Sequence, residues 1–296
     1  MNWFIFALIA PIFWALVNVI DKFLVSKIFS KWYFFGLWMG IIAIPISVAI
    51  FLFFNPLLIF PYSVISLFSG LMWGVFYFIY GKVLVDEEVS RATSLTFIAP
   101  LIVSILAGIF LKEVFTIPKY IGIILLVASG LLISHKKEKG RIFFIQSLKL
   151  ILVMILIMST TQVMDKFVSG KIGYWGLYFW NSIGIFLATA PFFIAKKIRT
   201  AFVNSLKQTW RKSLLNLGVA EVFAIIASLS YYIAVFLGPV SMVSALGSLQ
   251  PSFVFVYIIF LSIFIPKFLK EEVNRYSILM KSVAIVFVIL GTWLLV

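Results

Sequence analysis

Long uncharged apolar runs, separated by short polar or charged gaps, dominate this chain from end to end. A helix of about 20 apolar residues crosses the ~30 Å hydrocarbon core of a bilayer, and on that ruler the runs divide into ten spans. Residues 2–20 make the first, ending at Asp21-Lys22. No charge occurs between Trp32 and Gly81, which leaves room for two spans with the turn at Asn55-Pro56 to Pro61. Residues 92–111 and 117–134 are the fourth and fifth. After the basic connector His135 to Arg141 the pattern resumes at 148–164, 174–195 and 214–237. Gly238-Pro239 then breaks the run, and 240–265 and 276–296 complete the set. The runs are continuous rather than alternating at period two, which excludes a β-barrel. The pattern therefore predicts an all-α integral membrane protein with ten transmembrane helices. Because no basic n-region precedes the first run, it reads as a span and not as a cleaved signal peptide.

Composition agrees. Of 296 residues 64% are hydrophobic and 11% charged, against about 25% charged in soluble domains. Ten spans consume about 200 residues, leaving short loops and no soluble domain. The net charge of +14 would fit a nucleic-acid partner if the basic residues clustered, but they fall in the gaps, where they face lipid headgroups. No nucleic-acid partner is expected; the expected partners are a small-molecule substrate and membrane lipid, for a monomer or homodimer. Nineteen of the 24 Lys and Arg lie in or beside the connectors after spans 1, 3, 5, 7 and 9. That bias places the odd-numbered connectors in the cytoplasm and both termini outside, in a plasma (inner) membrane. With no cysteine, one histidine and no P-loop, an ATP-driven pump or a metal enzyme lacks its parts. The chain is not expected to be an enzyme, and no cofactor or metal is expected.

The two halves repeat each other. Asn18-Val-Ile-Asp21-Lys22-Phe23 near the end of span 1 is matched, 144 residues on, by Gln162-Val-Met-Asp165-Lys166-Phe167. A second match runs at spacing 151, pairing Tyr80 with Tyr231, Val89-Ser90 with Val240-Ser241 and Pro100 with Pro251. Five helices per repeat, an odd number, put the second repeat upside down relative to the first. The expected units are 1–140 and 141–296, two inverted-topology five-helix repeats of the kind that place a substrate site near the membrane midplane.

Ser90-Arg-Ala92-Thr-Ser-Leu-Thr-Phe-Ile-Ala-Pro100-Leu101, then Leu111-Lys112-Glu113, Tyr120, Gly122 and Gly130, resembles the closing third of an EamA repeat. Ser241, Pro251, Glu271 and Gly291 follow the same order in the second half. EamA proteins belong to the drug/metabolite transporter superfamily. The resemblance implies a secondary transporter, an exporter or exchanger of a small organic solute such as an amino acid, aromatic metabolite or drug, working by alternating access. The alternatives are a lipid-linked substrate flippase and a non-transporting membrane scaffold.

Charge within a span is costly and marks function first. Glu221 in span 8 and Lys281 in span 10 lie at similar depth and could pair. Glu221 reads as the one intramembrane carboxyl available for proton coupling, because span 1 carries none at mid-depth. Asp21-Lys22 and Asp165-Lys166, read as the ends of spans 1 and 6, are candidate gates on opposite faces. Candidate cavity residues are Trp14 and Asn18 in span 1, Trp38 in span 2, and Tyr77 and Tyr80 in span 3. The second half adds Thr161 and Gln162, Trp180 and Asn181, Glu221, Tyr231 and Gln250. That aromatic and amide set suits a neutral, zwitterionic or aromatic solute, or a soft cation through cation–π contact. Gly36-xxx-Gly40 and Gly70-xxx-Gly74 are expected to bring spans 2 and 3 close, and prolines 11, 45, 100, 191 and 251 to supply hinges.

Overall fold

A computed structural model describes residues 3–27, 31–86, 96–134, 148–250, 252–254, 256–257 and 275–295. Where they are described, the apolar runs are almost entirely helix, and the described residues include no strand. In chain order the helices are α1 (Trp3–Lys27), α2 (Tyr33–Phe54), α3 (Tyr62–Asp86), α4 (Ala99–Leu111) and α5 (Ile117–Ser134). They continue as α6 (Leu148–Ile194), α7 (Lys196–Leu237), α8 (Val240–Gly247) and α9 (Arg275–Leu295). Several are long and apolar enough to cross a membrane, among them α1, α2 and α3. Their outward faces carry large bare hydrophobics such as Leu52, Ile109 and Ile289, which water would not tolerate on this scale and lipid does.

Local chemistry sets the boundaries. α2 stops at Asn55, which turns left-handed (φ 43°) while its N–H bonds to Phe51 O. Asn is one of the few side chains that tolerates this region. α4 begins with Pro100 in its first turn, where the missing N–H costs nothing, so Pro100 starts a helix instead of hinging one. Pro11, Pro45 and Pro191 lie inside helices, and Pro251 is outside the described residues. α6 holds spans 6 and 7 as two arms joined at Gly173, whose φ of 66° and ψ of 171° reverse the chain; only glycine reaches that conformation without strain.

Two expectations about helix ends are corrected. α1 continues past Asp21 to Lys27, and α6 passes through Asp165 without a break, so neither aspartate ends its helix. A helix can carry a charge inward when other helices supply polar partners, and a run-length ruler that stops at the first charge cannot see this. The basic connector after span 7 is also helical: it forms the first turns of the 42-residue α7. Its apolar residue Phe202 is buried against Phe34 and Phe193, with ring centroids 5.3 and 6.0 Å away.

Helices of the first half find their main neighbours in the second. α3 lies along α6, α1 along α7, and α5 along α9. Glycines permit the closest approaches. A side chain on Gly70 would run into the Asn181 backbone, one on Gly184 into Leu67, and one on Gly40 into Thr189. Of the two glycine stripes, only Gly36, beneath the Phe78 ring, serves the α2–α3 contact. The rest seat the second arm of α6, which corrects the expected pairing of spans 2 and 3. Gly122 and Gly291 face each other reciprocally, a side chain on either meeting the other's carbonyl oxygen at 2.9 and 3.0 Å.

Candidate functional site

The helices enclose a central cavity of about 280 Å³ with walls from both halves. α1 contributes Trp14, Asn18 and Asp21, and α3 contributes Trp73, Phe76, Tyr77 and Tyr80. Across from them stand Gln162 of α6, Glu221 and Tyr231 of α7, and Gln250 beyond α8. Trp14 and Tyr231 touch across the halves, with ring centroids 5.6 Å apart. Aromatic rings recur around the wall: Tyr80 stacks on Phe76 at 5.9 Å, and Tyr178 meets Tyr232 at 5.1 Å.

Two carboxylates face this space. Asp21 is 5% exposed and lines the cavity together with Glu221. Glu221 accepts a hydrogen bond from Trp38 Nε1–H at 2.8 Å. Trp38 is thus behind the carboxylate rather than on the cavity wall, and fixes its rotamer. A carboxylate in a low-dielectric pocket attracts positive charge more strongly than it would in water. A solute amine could pair with either carboxyl while aromatic faces held its body.

Candidates on adjacent residues separate in the structure, because side chains one residue apart on a helix do not share a face. Gln162 lines the cavity, whereas Thr161 is fully buried and donates to Ile157 O at 2.9 Å. Trp180 points to the chain turn, its Nε1–H donating to Leu57 O at 3.4 Å. Asn181 lies in the protein interior. Of the remaining candidates, the side chains of Lys22 and Lys281 lie outside the described residues, so the Glu221–Lys281 pairing lies there too. Trp73, Phe76, Tyr178 and Tyr232 line the cavity without having been singled out. Trp73 and Phe76 lie four residues before Tyr77 and Tyr80, which was the available signal; Tyr178 and Tyr232 have no such spacing to Tyr77, Tyr80 or Tyr231.

Asp165 and Lys166 part company. Asp165 is fully buried one turn beyond Gln162; its Oδ1 accepts from Ser69 Oγ at 2.7 Å and from Asn181 Nδ2 at 3.2 Å. Asn181 also donates to Ser66 Oγ at 3.2 Å, and Ser66 donates to Leu177 O at 3.2 Å. This polar knot joins α3 to both arms of α6. With it, Asp21 and Asp165 join Glu221 as carboxyls held inside the helices, correcting the expectation that Glu221 stood alone.

Lys166 instead donates from Nζ to Val235 O at 2.8 Å, at the negative end of the α7 dipole. Glu113, just after α4, sits at the positive end of the next helix. It accepts from Val240 N at 2.9 Å on Oε1, and from Ser241 N at 3.2 Å and Ser241 Oγ at 2.7 Å on Oε2. Lysine and glutamate thereby clamp the Gly238-Pro239 break from both sides.

No curated protein matches the chain. A protein of known crystal structure aligns with 98% of this chain and 96% of its own, at a TM-score of 0.67 and 14% identity, a likeness of fold. Residues 1–135 match the EamA-like transporter family. That family is one of the drug/metabolite transporter superfamily, and the likeness covers the first 135 of the 296 residues.

Proposed function

We propose that this protein is a secondary transporter of a small organic solute carrying an amine on an aromatic or apolar body, such as an amino acid, aromatic metabolite or amine drug. The observation that carries the reading is the cavity lined by both halves, where Asp21 and Glu221 share an aromatic wall. Solute is moved by alternating access between two inverted five-helix repeats, 1–140 and 141–296, in a plasma (inner) membrane with odd-numbered connectors cytoplasmic and both termini outside. Membrane lipid is the second partner, and the working unit is a monomer or homodimer.

Several contacts support the inverted arrangement. α1 lies along α7, and Asp165 on the second-half counterpart of α1 bonds to Ser69 of α3. The mutual Gly122–Gly291 contact is what a two-fold axis between α5 and α9 would produce.

The test is counterflow in proteoliposomes with a panel of aromatic amino acids and aromatic amines. Saturable flux that disappears in Glu221→Gln supports the carrier. Absence of saturable flux for every amine, with accelerated flip of a labelled lipid, would replace it with a flippase.

A further inference from the structure

Asp165 is not among the residues lining the solute cavity, whereas Gln162, one turn back, and Tyr231 are. Its side chain is nevertheless completely buried, and its Oδ2 has no hydrogen-bond partner. A buried carboxylate is costly unless a cation accompanies it or it takes up a proton, and no lysine or arginine among the described residues pairs with it. The titratable groups facing it are the phenols of Tyr231 and Tyr232 on α7. α3 and the second arm of α6 meet it with the neutral Ser69 and Asn181. On its own helix Lys166 turns away to Val235 O, near Glu113. Ser69 and Asn181 both bond to Oδ1 and leave Oδ2 open, as the hydroxyl oxygen of a carboxylic acid would be.

Two further buried groups have unspent hydrogen-bonding capacity between Asp165 and the cavity: Gln162 Oε1, one turn back on the same helix, and the Tyr231 hydroxyl. Both residues also line the cavity. We propose that Asp165 is the transporter's proton-binding site, loaded from the cavity past Gln162 and Tyr231. Its protonation state sets the packing of α3 against α6, and so the accessibility of the cavity. The inference rests on the carrier reading for its purpose, though not for its test.

The chain contains no cysteine, so one introduced thiol reports alone. Ala224→Cys, on the cavity wall, is labelled with a membrane-impermeant maleimide in nanodiscs between pH 5.5 and 8.5, with rates normalised to a free thiol. The expected result is a several-fold change in labelling rate with a single midpoint. Asp165→Asn should abolish that change; Asp21→Asn and Glu221→Gln should leave it in place. Should Asp165→Asn fail to fold, Ser69→Ala keeps the carboxyl but deletes a donor to Oδ1, and must displace the midpoint. A pH-independent parent, a titration surviving in Asp165→Asn, or an unmoved midpoint in Ser69→Ala overturns the proposal. Counterflow failure with the Asp165-dependent titration intact would instead overturn the carrier reading alone.

Discussion

Replacing Glu113 by Gln should loosen the join between the two halves by a calculable amount. In the parent, one carboxylate oxygen serves Val240 N and the other serves both donors of Ser241. Glutamine keeps the shape but retains one acceptor, and its amide would point donors at donors. One hydrogen bond is lost if the amide oxygen faces Ser241, and two if it faces Val240. A hydrogen bond to a charged group contributes about 1.5–3 kcal/mol when buried, and Glu113 is only half-buried, so about 1–2 kcal/mol is expected. Loss of the charge at the start of α8 adds about 0.5 kcal/mol. At about 2–4 °C per kcal/mol for a chain of this size, the melting temperature should fall by about 3–10 °C. The measurement is a thermal scan of purified protein in one detergent at a fixed scan rate, because irreversible unfolding makes the midpoint rate-dependent. Ser241→Ala alone should lower it by about 2–4 °C, one hydrogen bond's worth. Because both substitutions remove the same contact, the double variant should fall short of the sum. A Glu113→Gln protein melting within about 1 °C of the parent, or strict additivity with Ser241→Ala, would refute the capping role.

Glu221→Gln should leave the protein folded, with an unchanged gel-filtration profile, while saturable amine flux falls at least about tenfold, equivalent to ~1.4 kcal/mol; parental flux would remove Glu221 from the mechanism. Trp38→Phe keeps the ring but deletes the 2.8 Å donor, and about 1 kcal/mol of lost positioning should raise the KM about fivefold without lowering expression. Gly70→Ala drives a methyl into the Asn181 backbone and should cost about 1–3 kcal/mol through overpacking, read as a lower melting temperature. Gly218→Ala meets nothing within 4 Å and should be neutral or raise stability by up to about 1 kcal/mol through helix propensity.

What could be read from the sequence was whatever one helix decides by itself. Run length and the Gly238-Pro239 break located the apolar helices, and Glu221 stood out because an acid within a lipid-length apolar run is too costly to be incidental. The apolar ruler misjudged Asp21 and Asp165, since what keeps an acid inside a bundle comes from elsewhere. Ser69 is 96 residues from Asp165 in sequence, and nothing local to either residue announces the other. Glu113 was visible as part of Leu111-Lys112-Glu113, but its capping role depends on donors 127 and 128 residues on. Trp180 and Asn181 looked like a cavity pair because they are adjacent, and for the same reason they cannot share a helix face.

The interleaving of the two halves has a consequence for biogenesis. When α3 leaves the insertion machinery, Ser66, Ser69 and Gly70 form a polar, notched stripe whose partners on α6 have yet to be made. The first five helices must wait in the membrane, incompletely packed, until the next hundred residues arrive. A chain cut in the 135–147 connector should therefore yield two fragments that are each degraded when made alone, yet protect one another when made together. On this view the two halves of the chain behave less like two domains than like two strands of one weave.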